Sequence, residues 1–311
     1  MFHVVDIHMH CIPFFCGFKN GEYIMRSGRY GEIRLKKGVR ERWMPPSFVN
    51  SNTDPEMLIG YMDWVGVDKA VLLQAPCYGD HNEYIAEILE KYPHKFIAGF
   101  AVIDPREDIE KIIAKVEYTI GELNLRGVKF EPPDTPFWLD ESKYDLLWKK
   151  IIELDCFLAL DLGLDKESPY SFQLEQLKKV MRKFPFLKLI VLHLGWSRLW
   201  DKDQIRPFPI LQDTLSLTKY SSNIWFGLSS IQEMEEGEYP YPRTQEIIKA
   251  AFETVGSDKL LWGSDFPSIL RWCTYKQSLD LIKEHCNFLG EKDKRLILGE
   301  NAIKLFSCVS H

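Results

Sequence analysis

The first ten positions hold the residues with the clearest chemical potential: Asp6–Ile7–His8–Met9–His10. Two histidines two positions apart on a strand point to the same side of it. Neutral imidazoles spaced in that way suit a divalent ion such as zinc. A second signal is Gly263–Ser264–Asp265–Phe266–Pro267, directly after the apolar run KLLW. A carboxylate at the end of an apolar strand sits in poorly solvated surroundings and needs a cation or a proton to be tolerated there. A metal ion would supply the cation, and Asp265 could then accept a proton from activated water. His193, in Leu192–His193–Leu194–Gly195–Trp196, closes another apolar run. Lys129 and Glu131 close a fourth, GVKFE, and share a face. They read either as a buried ion pair or, through Lys129, as a contact to substrate. Trp196, Trp200, Trp225, Phe266 and Trp272 would suit walls around a flat ring or serve as plain packing.

These positions converge only if the elements carrying them end at one place. Short, almost continuous apolar runs recur at Phe2–Ile7, Lys69–Gln74, Phe96–Val102, Gly127–Phe130, Cys156–Asp161, Leu187–His193, Asn223–Leu228 and Lys259–Trp262. Strands covered on both faces read in this way. Amphipathic helical patterns lie near 55–65, 82–91, 106–122, 141–154, 170–183, 208–219, 243–255 and 274–288. Thr53–Asp54–Pro55–Glu56 carries the start signals of the first of these. Eight strand–helix repeats predict an α/β fold, a (β/α)8 TIM barrel in one domain spanning 1–311. An open doubly wound sheet competes, but it would place a glycine-rich turn after its first strand, where this chain has HMHCIP.

The connection between the first strand and its helix, about 11–52, is abnormally long and predicts a functional cover. Between Lys19 and Arg42 it carries eight basic and three acidic residues. That excess suits either a solvated flap or a cover that attracts a carboxylate-bearing substrate, with Arg42 and Arg40 as its candidate ligands.

The chain has 311 residues, 45% of them hydrophobic, and a formal net charge of −6. The acidic balance argues against a nucleic-acid partner, and no apolar run is long enough to span a bilayer. Seven cysteines without a CxxC pair, and a start without a signal-peptide pattern, point to a reduced, cytoplasmic protein.

In their order, DIHMHCIP, DPEMLIGYMDWVGVDKAVLL, KYPHKFIAGFAVIDP, GVKFEPP, KFPFLKLIVLHLGW, DKLLWGSDFP and GENAIKLF resemble the amidohydrolase superfamily. The likeness is to its amidohydrolase-2 branch of aminocarboxymuconate-semialdehyde decarboxylase-like enzymes and lactone hydrolases. The resemblance implies His8 and His10 as metal ligands, Asp265 as ligand or general base, and His193 as a second catalytic group. Where that family offers a histidine at the end of the fifth strand, this chain has Asp161, which would ligate the metal or support the site indirectly. The implied cofactor is zinc, with manganese as the other choice. The implied partners are a small anionic substrate and a second copy in a homodimer. The expected activity is metal-dependent hydrolysis of a lactone-like carboxylate, Lys129, Glu131, Arg42 and Arg40 contacting substrate. Non-oxidative decarboxylation of an aromatic or muconate-type acid is the alternative, and an inactive barrel with a binding role is a further one.

Overall fold

The computed structural model describes residues 3–19, 21–35, 38–163, 168–195, 206–234 and 237–306. Eight parallel strands follow one another around a single sheet: β1 (Val5–Met9), β2 (Lys69–Leu73), β3 (Phe96–Val102), β4 (Gly127–Phe130), β5 (Phe157–Leu160), β6 (Lys188–Val191), β7 (Ile224–Gly227) and β8 (Leu260–Leu261). The sheet closes on itself. The Ile7 amide donates to the Trp262 carbonyl (3.1 Å), the Asp265 amide to His8 (2.8 Å) and the His10 amide to Phe266 (2.9 Å). Closure excludes the open doubly wound sheet.

β3 and β4 match the predicted runs and β1 extends past its predicted end to Met9, while the other five strands are shorter than predicted, because apolar residues continue past the last ladder bond into turns that are equally buried. Predicted helices 106–122 and 274–288 are each split. Ile109–Glu117 runs into a wider π-type turn over Tyr118–Glu122, and Tyr275–Asp280 into one over Leu281–His285. The first helix, α1 (Pro55–Val65), starts as predicted. The Asp54 carboxylate accepts from the Met57 amide (2.7 Å), Pro55 fills the first turn, and Gly66 ends the helix at φ 85°. Leu58 and Met62 turn inward from it.

Inside the barrel, Val5, Ile7, Val71, Leu73, Ala98, Phe100, Phe157, Ala159, Ile190, Leu192 and Leu261 form an apolar plug. Ala302 and Phe306 of the last helix (Asn301–Phe306) close its lower end. Burial of each large side chain here contributes about 1.5–3 kcal/mol. That rigid plug is the platform on which the mouth residues stand.

The long connection is a built element. Strands Phe18–Lys19, Glu22–Ser27, Glu32–Leu35 and Arg40–Arg42 form an antiparallel sheet of their own. Ile24, Ile33, Met44 and Phe48 are buried beneath it. Its two ends are stitched together at the base: the Ile12 and Thr53 backbones exchange hydrogen bonds (3.0 and 2.8 Å), and the Thr53 hydroxyl donates to the His10 carbonyl (2.8 Å). The excursion therefore leaves and rejoins the barrel at one point, directly beside His10.

Candidate active site

One irregularity in β1 aims both histidines at the mouth. Asp6 pairs with Ala70, but Met9 pairs with Leu72, so three steps along β1 match two along β2. That extra residue reverses the side-chain alternation. Val5 and Ile7 fill the plug, and beyond the irregularity His8 and His10 take the inward side. Asp6 anchors the turn between the strands. Its carboxylate accepts from the Ser264 amide (2.9 Å) and hydroxyl (2.5 Å), the Tyr275 hydroxyl (2.9 Å) and the His8 amide (3.0 Å). Burial nevertheless outweighs these bonds and pushes its pKa up to about 6. Asp265, just beyond β8, adopts φ 65°, and this left-handed turn carries its carboxylate back over the barrel axis.

His8, His10 and Asp265 come together. One ligand atom from each lies within 4.8 Å of the others. The Asp265 Oδ1 is 2.8 Å from His10 Nε2 and 3.5 Å from His8 Nε2. The other ring nitrogens are fixed from behind. His10 Nδ1 donates to the Leu73 carbonyl (2.7 Å), which turns Nε2 toward the Asp265 Oδ1. His8 Nδ1 is 2.9 Å from the Ser229 hydroxyl, and its buried Nε2 has no hydrogen-bond partner. Burial, reinforced by His10, His193 and Lys129 nearby, holds His8 well below the ordinary histidine pKa. A neutral, oriented imidazole with an unused buried nitrogen is the donor a divalent cation needs.

His193 lies beside this trio, its ring centre 5.0 Å from that of His8. It follows β6 in a tight turn, with φ 54° at His193 and 56° at Leu194. His193 Nδ1 donates to the Ser229 carbonyl (2.7 Å), and its Nε2 is 3.3 Å from Asp161. Burial works against a charge on this ring. Asp161, helped by Asp265 and the Ser229 carbonyl, overrides it and pushes the pKa up to about 9. The His193 cation in turn holds Asp161 below the ordinary carboxylate range despite its burial. Asp161 also accepts from the Gly163 amide (2.9 Å). Its carboxylate is thus committed to His193 and stands apart from the cluster of His8, His10 and Asp265.

Lys129 and Glu131 form a buried ion pair at 3.0 Å. Burial opposes the Lys129 charge, but Glu131 and Asp161 outweigh it and raise its pKa. Both residues line the same cavity as the trio, with Asp161, His193, Trp43, Tyr78 and Arg271. Its volume is about 80 Å³.

Arg40 and Arg42 do not line this cavity. They occupy the outermost strand of the cover, exposed, with Arg42 paired to Glu32 at 3.1 Å. The Arg42 guanidinium is thereby spent on cross-strand pairing within the cover sheet, while Arg40 sits opposite Arg34. Trp225 is also distant: its ring packs 6.1 Å from Phe157 in the plug. Phe266 is fully buried against Tyr61 and Tyr275. Trp196 and Trp200 lie outside the described residues.

Sequence reasoning passed over Asp6, Ser229, Trp43 and Arg271. Asp6 belongs to the first motif and Arg271 stands six residues after Asp265, so proximity to those motifs was a usable signal for both. Ser229 and Trp43 carry no such mark. No helix among the described residues is long and apolar enough to cross a membrane.

Comparison with known proteins supports the fold and gives the family. The amidohydrolase family model matches residues 5–307. A probable 2-pyrone-4,6-dicarboxylic acid hydrolase from Acinetobacter baumannii, solved with citric acid bound, superposes with a TM-score of 0.69 at 20% identity, covering 98% of this chain and 99% of its own. A dihydroxybenzoic acid decarboxylase from Polaromonas sp. JS666, with manganese and 2-nitroresorcinol bound, gives 0.60 at 19% identity over 82% and 87%. The 5-carboxyvanillate decarboxylase of Sphingomonas paucimobilis gives 0.60 at 16% over 85% and 86%. At these identities the structural likeness establishes the (β/α)8 fold, and the family match spans almost every element that builds the site. The chain belongs to the amidohydrolase family.

Proposed function

We propose that the protein is a metal-dependent hydrolase of a small carboxylate-bearing substrate, a lactone being the leading class. The buried, unpartnered Nε2 of His8, beside the His10 Nε2 and the Asp265 carboxylate, is the observation that carries this reading. His8, His10 and Asp265 would hold the ion, zinc or manganese. When bound, it supplies a Lewis acid for a carbonyl oxygen and lowers the pKa of water. The manganese-bound decarboxylase and the citrate-bound hydrolase support a metal and a carboxylate ligand by analogy.

The chain's own groups then divide the work. With its Oδ1 turned to the imidazoles, Asp265 takes the proton of the attacking water on Oδ2 and returns it to the leaving oxygen. The Lys129 ammonium, which keeps N–H donors beyond its contact with Glu131, donates where the carbonyl oxygen becomes an oxyanion, and His193, held by Asp161 and Ser229, lines the same side of the site. Asp161 acts as a positioning residue that keeps His193 charged.

Decarboxylation is a second reading because of the placement of His193: it lines the cavity with its ring centre 5.0 Å from that of His8, and Asp161, 3.3 Å from its Nε2, raises its pKa against burial. A protonated imidazole beside the trio can deliver that proton to the carbon that carbon dioxide leaves.

Metal content of freshly purified protein is the first test, followed by acid release from lactones and carbon dioxide release from aromatic and muconate-type acids. We expect stoichiometric metal and turnover of one class. His8→Ala should lose most of the metal, and Asp265→Asn at least 100-fold of the activity. Full turnover in both variants would refute the mechanism.

A further inference from the structure

We propose that Arg271 is the residue that selects a second carboxylate on the substrate, in the cavity it lines with His8, His10 and Asp265. This deepens the reading above and rests on it for the position of the reacting end. Three cationic side chains besides His8 and His10 line the cavity: Lys129, His193 and Arg271. Lys129 is neutralised by Glu131 at 3.0 Å and His193 by Asp161 at 3.3 Å. Arg271 has no carboxylate partner among the described residues, so it is the lining cation with charge left for a ligand.

Its local contacts hold it in place without quenching it. Arg271 stands at the end of a short turn over Ser268–Arg271, just beyond Asp265, and its Nε donates to the Ser268 carbonyl (3.1 Å). Its guanidinium carbon lies 5.9 Å from the ring centres of both Trp43, in the cover, and Trp272. Contacts to indole faces orient a guanidinium while leaving its terminal N–H groups for hydrogen bonds. The contact with Trp43 also ties this cation to the cover. A ligand carboxylate in the cavity would meet the terminal N–H groups of Arg271 in a charge-assisted contact.

The inference therefore names a substrate class, a compact acid that carries a second carboxylate besides the group that reacts. The probes are benzoate and benzene-1,3-dicarboxylate, measured by calorimetry on metal-loaded and on chelator-treated protein. We expect the dicarboxylate to bind the wild type at least 10-fold more tightly than benzoate. Arg271→Met should abolish that gain, and Arg271→Lys should restore part of it. The exposed Arg182→Met control should leave it intact. Equal gains in wild type and Arg271→Met overturn the proposal, as does failure of the wild type to prefer the dicarboxylate. Loss of the metal-centre reading shows separately. An Arg271-dependent gain that persists in protein found to carry no metal retains the clamp while removing the hydrolase mechanism.

Discussion

Replacing Asp161 by asparagine probes the charge pairing that sets His193 beside the proposed metal ligands. Folding moves His193 from an ordinary pKa of 6.5 to about 9. At ~1.4 kcal/mol per pH unit, this shift corresponds to a stabilisation of about 3 kcal/mol. Both side chains are only 12% exposed, so solvent screens the pair weakly. Because the folded pKa of the histidine is raised, the stabilisation is fully present below pH 6.5 and fades as the pH rises through about 9. Because the folded pKa of Asp161 is depressed, the same interaction is lost again in acid, below the ordinary carboxylate pKa of 3.8. We therefore expect Asp161→Asn to cost about 3 kcal/mol at pH 6 and much less at pH 10. Urea unfolding of chelator-treated wild type and variant at pH 6, 8 and 10 measures this difference. Imidazole resonances followed by NMR report the titration directly, and the variant's His193 should titrate at least 1.5 units lower. A wild-type His193 that titrates near 6.5, or an unfolding difference independent of pH, would refute the reasoning.

Two further substitutions test how the site is held. A methyl group at Gly263 would stand 2.8 Å from the His8 Cβ and 3.1 Å from its amide nitrogen. Gly263→Ala should cost about 1–3 kcal/mol in urea unfolding and reduce metal uptake by displacing β1, whereas wild-type metal uptake would show that β1 tolerates the shift. Ser229→Ala removes the hydroxyl that touches His8 Nδ1 at 2.9 Å and His193 Nδ1 at 3.2 Å. Metal affinity in chelator competition should fall about 10–100-fold with little change in Tm, and an unchanged affinity would show that Ser229 does not orient His8.

The barrel was legible because its strands are buried on both faces and so read as unbroken apolar runs, eight times, each followed by a helical period. Asp54–Pro55 marked the start of α1 by backbone chemistry that needs no tertiary partner. His8, His10, Asp265, His193 and Lys129 were legible for a related reason. A polar residue at the end of an apolar run is expensive unless something compensates it, and in a parallel barrel all such ends meet at one mouth.

The remainder depended on distances between segments far apart in sequence. Local chemistry showed Asp161 as a carboxylate at a strand end, and only the fold set it against His193, 32 positions along the chain, instead of against the trio. The excess of positive charge in the cover was visible, but the cover's own strand pairing sends Arg40 and Arg42 outward. Arg271, from the other end of the chain, meets Trp43 at the mouth. The extra residue in β1 that turns His8 and His10 inward arises from its register with β2, a property of two strands together. Residue order thus determined which groups are available at the strand ends. Which of them neutralise one another, and which stay free to hold a ligand, was decided by packing, because electrostatic pairing depends on separation in space and on burial, and neither is local in the chain.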